Sequence, residues 1–160
     1  MALQKDWLFS FPNCACGLRV AGVLVKNNKL LVQRDKNGTE YALPGGHVKI
    51  GETLAQGLAR EYREETGAEI SVSRLLWSEE CFWEQQGTPV HQIAFYFLVQ
   101  EQEGFAIPNN GAFLPHKDNK NVVIGWLSVD KVRNTVVYPA FLKEEIANLQ
   151  RPIKHFISKG

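Results

Sequence analysis

The order of strand-like and helical stretches predicts an α/β fold, with a mixed β-sheet and helices on both faces. Three observations carry this. β-rich stretches lie on both sides of one amphipathic helical stretch. Turn signals such as Asn27-Asn28 and Pro44-Gly45-Gly46 punctuate them. No internal repeat or linker divides the 160 residues. Residues 1–160 are therefore expected to form one domain, of a size that supports a real core.

Arg19 to Val25 reads as a buried strand. Asn27-Asn28 is a turn, and Lys29 to Arg34 is its hairpin partner. A polar loop, Asp35 to Gly38, leads to a short strand at Tyr41-Ala42-Leu43, which stops at Pro44. The helix follows, with Thr53 as N-cap, Gln56 completing a capping box and Gly67 as the left-handed stop. Glu69 to Trp77 is β-rich. Trp83 to Val90 is expected to turn the chain into the strand His91 to Gln100, with Ile93, Phe95 and Phe97 on one face. Gly104 to Lys120 is polar and rich in Asn, Pro and Gly, a loop long enough to suggest a functional role. Asn121 to Leu127 returns to strand. Ser128 starts a short helix, and Pro139 precedes a last helix over Ala140 to Leu149.

Composition narrows the function. Eighteen Lys and Arg against seventeen Asp and Glu give a formal net charge of +1. No global field draws the chain to nucleic acid or to a membrane surface. No apolar run has the length of a bilayer span, and the N-terminus does not read as a secretory signal. Cys14, Cys16 and Cys81 are odd in number and lack the spacing of a zinc ribbon. They read as free thiols in a reducing, cytoplasmic setting.

The chemistry concentrates in residues 46–68. Glu61, Glu64 and Glu65 place three carboxylates within five residues, just after a glycine-rich loop. At about 100° per residue they share an arc of roughly 100° on a helix. Ala55, Leu58, Ala59 and Tyr62 form the neighbouring apolar stripe. Like charges on one face oppose folding, and a cation between them would relieve the repulsion. Oxygen-only ligands favour Mg²⁺ or Mn²⁺ over zinc.

The spacing of Gly46, Glu52, Arg60, Glu61, Glu64, Glu65 and Gly67 matches all seven fixed positions of G-x5-E-x7-R-E-U-x-E-E-x-G-U, where U is a bulky aliphatic residue. At roughly 7% per residue type, chance agreement is on the order of one in 10⁸ at a given start. Only the U positions depart, as Tyr62 and Ala68. This is the signature of the Nudix hydrolases, and the chain resembles that MutT-like family. The resemblance implies a Nudix-type α/β/α sandwich. It makes Glu64 and Glu65 the main metal ligands, Glu61 a further ligand or water activator, and the Gly46 carbonyl a fourth donor. Arg60 would hold a carboxylate, Glu61 or Glu52. Glu52 reads equally well as an acid favoured at the helix start.

The implied activity is metal-dependent hydrolysis of a nucleoside diphosphate linked to another moiety: a nucleoside triphosphate, a nucleotide sugar or an ADP-ribose type. The general base would be Glu61, or a glutamate outside the box among Glu79, Glu80, Glu84, Glu101 and Glu103. Arg34 and Lys49 are candidate phosphate contacts. His47 and His91 are candidate phosphate donors. Phe82, Trp83, Tyr96 and Trp126 are available to stack on a base; Trp83 and Tyr96, with Arg34, are the chosen substrate contacts. The expected partner is a small-molecule nucleotide. A homodimer is left open, as many relatives dimerise. The competing reading is a non-catalytic Nudix module that senses a nucleotide or ADP-ribose; retention of every acid in the box argues against it.

Overall fold

The computed structural model describes residues 4–103 and 107–160. In chain order the elements are β1 (Leu8–Phe11), β2 (Cys14–Val23), β3 (Val25–Lys26), β4 (Lys29–Asp35), β5 (Tyr41–Ala42), β6 (Gly45–His47) and α1 (Leu54–Thr66). Then come β7 (Ile70–Gln85), β8 (Thr88–Glu101), β9 (Leu114–Pro115), β10 (Val122–Ser128), α2 (Val129–Val132), β11 (Val137–Tyr138), α3 (Leu142–Glu145) and β12 (Lys154–Lys159).

The strands form two mixed sheets rather than one. The first runs β1-β2-β8-β7-β12, with β6 also paired to β2; the second runs β11-β5-β4-β10-β9, with β3 also paired to β4. In the first sheet, β2 with β8 and β7 with β12 are parallel. In the second, only β11 with β5 is parallel.

Strand β2 serves two cores because its side chains alternate. Ala21 and Val23 enter a cluster with Leu30, Val32, Tyr96, Val132 and Leu142, which takes in residues of α2 and α3. Val20 points the other way, into a cluster with Leu31, Val99, Trp126 and the α1 residues Leu58 and Tyr62. Each fully buried large side chain contributes about 1.5–3 kcal/mol. The α/β/α sandwich therefore follows from strands that are apolar on both faces.

Several expectations need correction. The region 83–90 is not a turn. Strands β7 and β8 run on to Gln85 and Thr88, and only Gln86-Gly87 turns, at φ 51° and 79°. The last helix is one short segment, Leu142–Glu145, and the chain then adds a strand, β12, that composition did not mark. The run Leu8–Phe11 is also a strand, paired with the start of β2. Within the long polar loop, Leu114–Pro115 pairs with β10, while residues 104–106 lie outside the described residues. The Asn27-Asn28 turn is present, with both residues left-handed at φ 51° and 58°.

Candidate active site

Helix α1 is fixed at both ends as expected. Thr53 Oγ1 accepts from the Gln56 N–H at 3.1 Å, and Gln56 Oε1 accepts from the Thr53 N–H at 2.9 Å. Gly67 closes the helix at φ 75°, its N–H donating to the Arg63 carbonyl at 2.9 Å. Leu58 and Tyr62 are fully buried. Tyr62, one of the two departures from the signature, is accommodated by a glycine opposite. Its Oη donates to the Gly22 carbonyl at 3.2 Å, and a Cβ on Gly22 would stand 2.7 Å from that Oη.

This docking sets a gradient of exposure across the acids. Glu65 is 5% exposed, whereas the Glu64 side chain is 41% exposed. Glu65 Oε2 accepts from the Gly45 N–H at 3.1 Å, and its Oε1 lies 3.6 Å from His116 Nε2. Burial raises the proton affinity of Glu65, and His116 only partly offsets this. Glu61 is raised for the same first cause, with Arg60 opposing. A side chain at Gly46 would displace Glu61, because a Cβ there would meet the Glu61 carboxyl carbon at 2.5 Å.

Arg60 is the hub. Its Nε and Nη2 donate to Glu52 Oε1 and Oε2 at 2.6 and 3.0 Å. Its Nη1 donates to Glu61 Oε1 at 2.8 Å and to Glu64 Oε2 at 3.1 Å, and Nη2 also reaches the His47 carbonyl at 3.1 Å. The Arg60 bond holds Glu52 below the usual carboxylate range, and Glu52 raises Arg60 above its ordinary value. Glu52 also accepts from the Lys49 N–H at 2.9 Å. Of the two readings of Glu52, the planar fork onto Arg60 is the one present.

Among the described residues, no three His, Cys, Asp or Glu side chains converge as a metal-binding group. The guanidinium of Arg60 stands among the carboxylates instead. The donors nonetheless fit a hard divalent cation. They are oxygens, and burial disfavours the charged forms of Glu61 and Glu65, a penalty a cation would remove.

Two cavities flank this arrangement. A polar one of about 510 Å³ is lined by Gly46, His47, Lys49, Arg60, Glu61 and Glu64, among others. Burial, then Arg19, lowers the proton affinity of His47. An apolar cavity of about 450 Å³ is lined by Trp83 and Tyr96, with Arg19, Phe82 and Tyr138. Arg19, which lines the apolar cavity, reaches the Gly45 carbonyl of the glycine loop through Nη2 at 3.5 Å.

The structure thus brings Gly46, Arg60, Glu61 and Glu64 to one cavity, with Glu65 buried behind, and Trp83 and Tyr96 to the other. Arg34 joins neither. Its Nη1 donates to the Asp35 and Lys36 carbonyls at 2.9 and 2.7 Å, and its guanidinium lies 5.0 Å from the Phe113 ring centre. His91 stacks on Phe82 at 4.2 Å, and Trp126 is buried in the core. Of the other glutamates, Glu80 pairs with His155 and Glu101 with Lys26, each at 2.8 Å, while Glu84 and Glu103 are exposed. Glu79 is buried at the apolar cavity. Sequence reasoning missed Arg19, His116 and Ser158, which carry no motif.

The fold and the site define an α/β/α sandwich protein with an acid-bearing helix docked behind a glycine loop. A family model described as NUDIX domain matches residues 18–149, and the chain belongs to that family. It is similar to a MutT-like protein of Streptomyces ambofaciens, 45% identical over 115 residues, covering 71% of this chain and 64% of that protein. It is also similar to an ADP-ribose pyrophosphatase of Methanocaldococcus jannaschii, 40% identical over 77 residues, covering 46% and 43%. The chain spans less than two thirds of the length of these relatives. Among solved structures, a MutT protein from Bacillus halodurans shares the fold with a TM-score of 0.64, at 20% identity over 87% of this chain and 86% of that one.

Proposed function

We propose that the chain is a Mg²⁺- or Mn²⁺-dependent pyrophosphohydrolase acting on a nucleoside diphosphate linked to another moiety. The observation that carries this reading is the shared cavity of Gly46, Arg60, Glu61 and Glu64, backed by buried Glu65 and adjoining an aromatic cleft. Glu61, Glu64 and Glu65, with the Gly46 carbonyl, would hold the cation. A divalent ion there supplies charge neutralisation on phosphate oxygens and acidifies water.

The chain's own residues supply the rest. Arg60 positions Glu61 and Glu64 through a guanidinium itself anchored on Glu52. Glu61, held by Arg60 at the polar cavity, would either complete the cation's ligands or take a proton from an attacking water. Arg19 offers positive charge to a phosphate lying between the cavities. Trp83, at the apolar cavity, offers a ring for stacking.

The test is product release from dNTPs, 8-oxo-dGTP, ADP-ribose, NADH and nucleotide sugars, with Mg²⁺, with Mn²⁺ and with chelator. Chelator-sensitive turnover of one class is expected. Tight binding of a panel member without turnover of any would replace this reading with a sensing module.

A further inference from the structure

The apolar cavity has a polar floor that the hydrolytic chemistry does not use. Glu79 is only 3% exposed, yet it lines the cavity. Its Oε2 accepts from Tyr96 Oη at 2.6 Å and its Oε1 from Ser158 Oγ at 2.5 Å. Both donors are neutral hydroxyls, and among the described residues Glu79 forms no ion pair. Burying a carboxylate is costly unless hydrogen bonds are plentiful or a cation is near, and Arg19, which lines the same cavity, forms no ion pair with it among the described residues. A carboxylate has about four acceptor sites, and two hydroxyls leave capacity for further donors. Trp83 and Tyr138 give the same cavity flat apolar walls, suited to a planar ring.

Three strands build this floor, which is why no local motif announces it. Glu79 lies opposite Ala94 on β8, and Ser158 on β12 lies opposite Cys81. Gln92 lies opposite Cys81 on the other side and also lines the cavity. The Cys81 thiol is pushed up to about 12, by burial first and then by Glu79, so it stays neutral beside the carboxylate.

Resting on the hydrolase reading for placing a nucleotide here, we propose that Glu79, held by Tyr96 and Ser158, selects a base with two adjacent N–H donors, the guanine class. The complementarity is chemical. Guanine presents its ring N1–H and exocyclic amino group side by side, matching the two oxygens of a carboxylate. Its neighbouring carbonyl needs a donor, which the Gln92 amide can supply. Uracil and thymine set their ring N–H between two carbonyls, which a carboxylate repels. Adenine and cytosine offer one amino group beside an acceptor nitrogen. A buried polar group left unpaired by the wrong base is what makes such a site discriminate. Tyr96 is then a positioning residue that acts through Glu79, and does not itself stack on the base.

The experiment reads binding, not turnover, so its failure is distinct from failure of the hydrolase reading. Calorimetric affinities of GMP, IMP and AMP are measured on the whole chain. IMP differs from GMP by the exocyclic amino group alone, so this comparison needs no variant. GMP is expected to bind about tenfold or more tightly than IMP and AMP. In Glu79→Gln, with thermal melting confirming the fold, the GMP-to-IMP ratio should fall toward one. Tyr96→Phe, which frees one oxygen of the carboxylate, should narrow the ratio less. Equal binding of GMP and IMP, an unchanged ratio in Glu79→Gln, or no binding of any of the three would each overturn the proposal. Selective GMP binding without cleavage of any guanine nucleotide would support the base selection and count against the hydrolase.

Discussion

At the scale of single residues, Glu65 states the conflict between folding and function most sharply. It is nearly sealed from water, and burial works against its charge. Glu65→Gln keeps an acceptor for the Gly45 N–H at almost the same volume. Metal-free melting of the variant should therefore be unchanged or higher. Its stabilisation by Mg²⁺ should disappear, and turnover should drop at least about a hundredfold. Glu64→Gln should also lose most turnover with little change in metal-free stability, since Glu64 is largely exposed. Full Mg²⁺-dependent activity in either variant would remove that residue from the ligand set. Arg60 is tested differently, because Arg60→Lys keeps the charge and loses the fork across Glu52 and Glu61. A fall in kcat/KM of roughly 10- to 100-fold is expected, with a higher Mg²⁺ requirement. Wild-type kinetics in Arg60→Lys would mean that charge alone suffices.

At the scale of elements, the placement of α1 depends on its cap and on one close contact with β2. Thr53→Ala removes the acceptor for the Gln56 N–H and should lower unfolding free energy by about 1 kcal/mol. Gly22→Ala drives a Cβ into the Tyr62 ring and should cost about 1–3 kcal/mol, with lost activity as the helix shifts. Urea unfolding measures both, and an undisturbed Gly22→Ala would mean that the helix has slack. Helix α1 was legible because capping box, stripe and terminal glycine are all local. So was the Asn27-Asn28 hairpin. The Gln86-Gly87 turn was not, because Gln is not a residue that announces left-handed backbone. β12 was missed because Lys154–Lys159 gains its identity from parallel pairing with β7, 77 residues back. The acids of the box were readable from spacing. Glu79 was one of five glutamates offered only as a general base, and its burial at the apolar cavity has no signal in the sequence.

At the scale of the whole molecule, the two cores are not separable parts. Strand β4 sends Leu30 and Val32 to one cluster and Leu31 to the other, as β2 does with its own alternating residues. β10 likewise divides Leu127 from Ile124 and Trp126. Losing either cluster would strip one face from strands the other cluster needs, so neither has a stable partner surface alone. Unfolding should then be a single cooperative transition. Tryptophan reports each core separately: Trp77 sits in the cluster with α2 and α3 residues, and Trp126 in the cluster with α1. In a Trp7→Phe, Trp83→Phe background, which removes the two tryptophans outside these clusters, fluorescence melts of Trp77→Phe and Trp126→Phe each leave one core's reporter and should each coincide with far-ultraviolet circular dichroism on the same variant. A lower midpoint seen by Trp126 than by circular dichroism would show that α1 and its acids detach first. The acid-bearing face would then be a locally unstable unit, and Mg²⁺ should bring the two midpoints together.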